Sequence, residues 1–198
     1  MARYDAIAEA SLAVLRLLED AYPTDLVVDS EGVGVDVQFP LLRGADFPAS
    51  ASTALSLFVY RIQVDGHRSL HSRRGLEENH TRPQLGIELH FLLTAWAESA
   101  AMQHVLLGWA MRVLADHPIL PASVLDSSAA GVFHQDEALQ LRQADLASEE
   151  IVRLWDRLGD RYELSVPYVL AGLQLDSERE VGGGLVTETH LRHGEAIS

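Results

Sequence analysis

The chain contains neither cysteine nor lysine. Without thiols there is no disulfide framework and no thiolate metal site, a usage that fits a reducing compartment. Without lysine, the phosphate-gripping residue of P-loops, the strand lysine of kinases and every Schiff-base mechanism are excluded. All 15 basic residues are arginine, a bias that genomic base composition explains more simply than selection for arginine pairing. Long apolar runs are missing too, since none approaches the roughly 18 residues that a membrane span requires. Met1-Ala2-Arg3-Tyr4-Asp5 lacks the charged-then-apolar order of a signal peptide, so synthesis is expected to end in the cytosol. Positive charge is scarce: 29 acidic residues against 15 basic ones give a formal charge of −14. Such a surface repels phosphate backbones and anionic lipid, and neither nucleic acid nor membrane is expected as a partner.

The known catalytic signatures are missing as well. There is no G-x-S-x-G elbow, no H-E-x-x-H and no complete G-x-G-x-x-G; Gly32-Val33-Gly34 begins the last and stops. An enzyme and a cofactor are therefore not expected.

What is present is enough apolar material for a real core. A chain of 198 residues with 47% hydrophobic content suits one domain. Ile7, Ala8, Val14, Leu15, Leu18 and Tyr22 recur at helical spacing, predicting an amphipathic helix over residues 4–22 that Pro23 stops. Leu26 to Val28 and Val33 to Phe39 read as two short strands joined as a hairpin. From Thr53 to Asp65 the order is period two, with Phe58, Tyr60, Ile62 and Val64 on one face and Leu55, Leu57, Val59 and Arg61 on the other. Its first half is expected to be buried on both faces and its second half wet on one.

After a polar loop, Leu85, Ile87, Leu89, Phe91, Leu93 and Ala95 make a second long strand, and the two strands are expected at the centre of the sheet. A helix over residues 98–115 carries the stripe Met102, Val105, Leu106, Trp109, Val113 and Leu114, and residues 116–131 read as loop. Leu139 to Leu141 is a further short strand. Ser148 caps the next helix, with Glu149 and Glu150 in its first turn, Ile151, Leu154, Trp155 and Leu158 on its stripe, and Gly159 at its end. Tyr162 to Leu175 alternates once more, but Pro167 cannot donate to a ladder, so this strand belongs at an edge or carries a bulge. The order predicts an α+β domain, a mainly antiparallel sheet flanked by helices, over residues 1–176. A C-terminal arm over 177–198 follows, with Gly182-Gly183-Gly184 as a leash and a strand-like stretch from Leu185 to Arg192.

Two segments stand out as contact surfaces. The 18-residue loop over 66–83 holds Arg68, Arg73, Arg74 and Arg82 against Glu77 and Glu78, a positive stretch within a strongly acidic chain. Its length, unusual for a connection between strands, favours a contact role over an incidental solvated loop. The arginine fork suits carboxylates on a neighbour. The other segment is the arm, where Leu185, Thr187, Thr189 and Leu191 share one side of an alternating stretch. His67, His71 and His80 fall short of a metal site, since no cysteine or placed carboxylate completes the set. Glu88 and His90 alternate on one strand, and a His–Glu pair can do acid–base work. That leaves two alternatives: a small cofactor-less hydrolase or isomerase, or a small-molecule-binding α/β module. Either needs a concave site at His90.

The segments Tyr4-Asp5-Ala6-Ile7, Leu55 to Arg61, Gln84 to Ala95, His104 to Gly108, Leu154-Trp155 and Leu164 to Tyr168 follow one another in fixed order. In that order the chain resembles, from about residue 4 to 175, the cap or tail-terminator proteins of extracellular contractile injection systems, the phage-tail-like particles of the antifeeding-prophage type. The resemblance implies a tail-terminator fold and a non-enzymatic protein. It would assemble in the cytoplasm as a six-fold ring, become part of an injection particle, and seat on the last layer of sheath and inner tube to stop their growth. Because sheath subunits of such particles are linked by exchanged strands, the resemblance also implies β-augmentation at the arm and at the proline-bearing strand 162–175.

Overall fold

A computed structural model describes residues 4–28, 32–44, 46, 52–65, 84–126, 131–159 and 162–177. Among these the elements run α1 (Ala6–Ala21), β1 (Leu41–Leu42), β2 (Ala54–Val64), β3 (Leu85–Trp96), α2 (Ala100–Asp116), β4 (Ile119–Pro121), α3 (Ala122–Leu125), β5 (Ala138–Gln143), α4 (Ser148–Gly159) and β6 (Ser165–Leu175). The strands make one six-stranded sheet in the order β1-β2-β3-β6-β5-β4. Only the β1–β2 pair is parallel. The class is the α+β arrangement that the sequence predicts.

One face of the sheet carries the main core. Leu55, Leu57, Leu89, Phe91, Leu93 and Leu170 pack there against Ala10, Val14 and Leu18 of α1, Leu106 and Leu114 of α2, and Leu125 of α3. Burying each large side chain contributes about 1.5–3 kcal/mol, so this layer dominates stability. The Ser99 hydroxyl starts α2 by accepting the Met102 N–H at 3.2 Å, which satisfies one of the orphan donors of a first turn. The buried stripe of α2 is Leu106, Leu107, Ala110 and Leu114, rotated from the expected one so that Val105 is 47% exposed. The opposite face is covered at one end by α4, through Trp155 against Trp96 and Ala54 with Ile151 and Leu158 alongside.

The sequence and the structure differ in several places. Leu26–Val28 and Val33–Phe39 make no hairpin of strands; a single antiparallel bridge joins Val28 to Gly34, and a parallel one joins Gln38 to Ala54. A Cβ at Gly34 would collide with the Thr24 carbonyl, which is why glycine stands there. The stretch read as loop contains β4 and α3, both too short for periodicity to reveal. Ser148 is the first residue of α4 and not its cap: Ala147 takes that place, its carbonyl accepting from Glu150 and Ile151 and its N–H donating to Glu150 Oε2 at 3.3 Å.

The strand β6 is not at an edge, and with β3 it forms the centre of the sheet. Pro167 is tolerated because β5 ends there. The last β5 rung pairs Gln143 with Tyr168, and the Pro167 carbonyl accepts only from the Ala144 N–H at 2.9 Å, so the missing N–H falls where the ladder has stopped. The bulge that β6 does carry lies at Gly172, where the register with β3 shifts between Ile87 and Glu88. Gly172 has φ +99°, a backbone region open to glycine.

Candidate interaction surfaces

Arg68, Arg73, Arg74 and Arg82 lie outside the described residues, as do Leu185, Thr187, Thr189 and Leu191. The structure does fix where the chain leaves and re-enters around these segments. The loop over 66–83 departs from Val64 and Asp65 and returns at Gln84 and Leu85, with the Asp65 N–H donating to the Gly86 carbonyl at 2.8 Å. The chain toward 178–198 departs from Leu175, which pairs with Leu85 across the β3–β6 ladder. Both segments therefore start from one end of the sheet, on neighbouring strands.

The root of the C-terminal segment is pinned. Asp176 Oδ1 accepts from Gln84 Nε2 at 2.5 Å, and Asp176 Oδ2 lies 2.9 Å from His134 Nε2. Glu137 braces the same corner by accepting the His134 N–H at 3.1 Å and the Gln174 N–H at 3.4 Å. Burial pushes the Glu137 carboxyl above the usual carboxylate range, opposed by those two backbone donors. A cavity of about 250 Å³, lined by Gln84, His134, Glu137, Gly172 and Gln174 among others, lies at this corner. Among the described residues no group of three or more His, Asp or Glu is placed to hold a metal ion.

The strand β2 departs from its predicted alternation. Its register with β3 shifts between Val59 and Arg61, a bulge at Tyr60 that moves every later side chain to the other face. Ile62 and Val64 consequently stand opposite Leu89 and Ile87, on the helix-bearing face, yet they are 53% and 55% exposed because the helix layer does not reach them. The expected half-wet strand is wet on both faces from Arg61 to Val64.

The His90–Glu88 pair exists: His90 Nε2 and Glu88 Oε2 are 3.7 Å apart, and Arg142 Nη2 lies 3.5 Å from Glu88 Oε1. Burial lowers the His90 pKa, reinforced by Arg61 and Arg142 and opposed by Glu88, so the imidazole is held neutral. Its ring packs edge-on against Tyr60 at 6.0 Å. The cavity described above is lined by other residues and does not include His90.

A buried polar chain on the same face escaped sequence reading. Trp96 Nε1 donates to Ser56 Oγ at 2.7 Å, Trp155 Nε1 donates to Ser165 Oγ at 3.2 Å, and Thr94 Oγ1 and Ser165 Oγ are 2.8 Å apart. The two indoles meet edge to face at 5.9 Å. Both Trp96 and Trp155 are buried. The available signal was small hydroxyl residues at alternate positions of long apolar strands, where each must find a partner.

This sheet, with three helices on one face and one on the other, has the fold of tube- and sheath-terminating caps. It is similar to the sheath/tube terminator of the PVC extracellular contractile injection system in its extended state, at 13% identity and TM-score 0.55, over 97% of this chain and 65% of that one. It is similar also to the anti-feeding prophage tube-terminating cap, at 14% identity and TM-score 0.52, over 93% of this chain and 60% of that one. The chain thus spans less than two thirds of either cap. The model of one family, the Pvc16 N-terminal domain, matches residues 9–189, and the chain belongs to that family. No curated protein matches it.

Proposed function

We propose that this protein is a structural, non-catalytic cap that ends the growth of sheath and inner tube in a contractile injection particle, acting as a closed six-fold ring. The observation that carries the reading is the common departure of the loop 66–83 and the segment 178–198 from one end of the sheet. Family membership and the terminator fold support the same reading. A ring needs two different surfaces on each protomer. The arginines Arg68, Arg73, Arg74 and Arg82 form one contact, and the strand-like stretch bearing Leu185, Thr187, Thr189 and Leu191 forms another. Sheath and tube proteins are the partners, and no cofactor is required.

Deleting the gene from an intact particle cluster is expected to give sheath and tube of variable length or low stability, because the distal layer stays open to addition and loss. Electron microscopy checks this, and particles of uniform length with normal ends would contradict the cap reading. Replacing Arg68, Arg73 and Arg74 together by Ala is expected to lower co-sedimentation with particles, most at low salt, with little effect on folding. Unchanged co-sedimentation at low and high salt would remove the loop from the contact.

A further inference from the structure

The outer side of β2 is half covered. The segment bearing β1 reaches it only from Ala54 to Phe58, through the rungs Gln38–Ala54, Leu41–Leu57 and Leu42–Phe58. Beyond Phe58 no strand among the described residues pairs on that side, although β2 continues to Val64. The direction of the open groups follows from the ladder. The Asp65 N–H points inward to Gly86, so Gln63 and Arg61 point inward too, and Ile62 and Val64 turn their N–H and C=O outward. An open row of this kind is a template for another strand. Ile62, Val64 and Leu85, at 53%, 55% and 44% exposure, line the helix-bearing face beside it.

We propose that the β2 edge from Val59 to Val64 receives residues 185–192 of a neighbouring copy of this chain as an added strand. The inference rests on the ring reading, which supplies the neighbour. The edge offers six residues, and the alternating stretch 185–192, eight residues long, is enough to span it. Leu185, Thr187, Thr189 and Leu191 present one side to it, and main-chain hydrogen bonds supply the pairing. The donor segment leaves from Asp176, pinned by Gln84 and His134 at the same end of the sheet as Val64. The eight residues 177–184 reach about 26 Å when extended, enough to cross a protomer boundary.

A chain pairing with its own edge would have to pass round both roots of the loop 66–83. It would also set consecutive strands three places apart in the sheet, against the usual adjacency of consecutive elements. Donation to a neighbour avoids both and uses two different surfaces, as a head-to-tail ring demands.

The absence of cysteine makes the test direct. The purified full-length variants Ile62→Cys and Thr189→Cys are mixed and oxidised, and Val64→Cys with Thr187→Cys gives a second pair should the register differ. Opposed residues of paired strands lie within disulfide reach, so a mixed 62–189 or 64–187 disulfide between chains is expected in the mass spectrum. Adding Ile62→Pro to the Val64→Cys variant is expected to cut the mixed product at least tenfold. That proline removes an outward donor while leaving the β2–β3 ladder intact. An intramolecular disulfide in the doubly substituted chain, without the mixed species, would show that the chain covers its own edge and would overturn the proposal. Neither product, or a yield indifferent to Ile62→Pro, would overturn it as well. Because this is read on purified chain and the cap reading on whole particles, either can fail alone.

Discussion

The two ends of the sheet are built on opposite principles. At the end where Ala54 pairs with Trp96 and Thr94 with Ser165, both faces are covered, the indoles are buried, and every hydroxyl of the polar chain has a partner. At the other end Val64 pairs with Ile87 and Leu85 with Leu175, Ile62, Val64 and Leu85 are more than two fifths exposed, and the two proposed contact segments depart. The first end spends its residues on fixing the fold, and the second leaves surface and backbone open to something outside the chain.

The strongest way to break this contrast is to truncate one residue at each end. Trp155, 3% exposed, is expected to cost about 3–5 kcal/mol when replaced by Ala, since it leaves a cavity under α4. Ile62→Ala, at an exposed site, is expected to stay within about 0.5 kcal/mol of the parent. Denaturant midpoints of the two variants check this, and equal losses would mean that the open end belongs to the folded core of the free chain.

A smaller effect sharpens the same comparison. The Ser165 hydroxyl donates to the Glu163 carbonyl at 2.9 Å and accepts from Trp155 at 3.2 Å, with Thr94 2.8 Å away. Ser165→Ala leaves buried donors without acceptors, each costing about 1–3 kcal/mol. The loss is expected to fall below that of Trp155→Ala and to be less than additive with it, because both substitutions break one network. Additive losses would show that the polar chain and the indole packing act independently.

The closed end was the more legible in sequence. The alternation of Leu85 to Ala95, the buried first half of β2 and the acidic first turn of α4 are local signals, and local signals survive in a single sequence. What failed were features set by distant pairing. Pro167 reads as an edge marker because proline blocks a ladder, yet in the fold it sits where β5 has already ended. The faces of Ile62 and Val64 were reversed because a bulge at Tyr60 leaves no trace in a period-two count. The two proposed contact segments rest on composition and spacing, on four arginines in one long loop and on an alternating stretch behind three glycines. Their departure from one end was not legible, because it depends on the pairing of Leu85 with Leu175.

The smallest expected effect lies between the two ends, at His90. In the folded chain its pKa is lowered, first by burial and then by Arg61 and Arg142, against the pull of Glu88. In the unfolded chain it titrates near 6.5. Between the lowered value and 6.5 the unfolded state binds a proton that the folded state refuses, so this group makes stability fall as pH drops below 6.5 and contributes nothing above it. Glu137, with its raised pKa, acts with the opposite sign at lower pH, since its folded form takes up the proton first. Comparing His90→Gln with the parent chain removes that background. The difference in unfolding free energy between the two is expected to change as pH falls from 7 toward 5, in the direction that favours the variant. A constant difference across that range would mean that His90 takes up its proton alike in the folded and unfolded chain, and that the Arg61–His90–Glu88–Arg142 row is a solvated patch belonging with the open end.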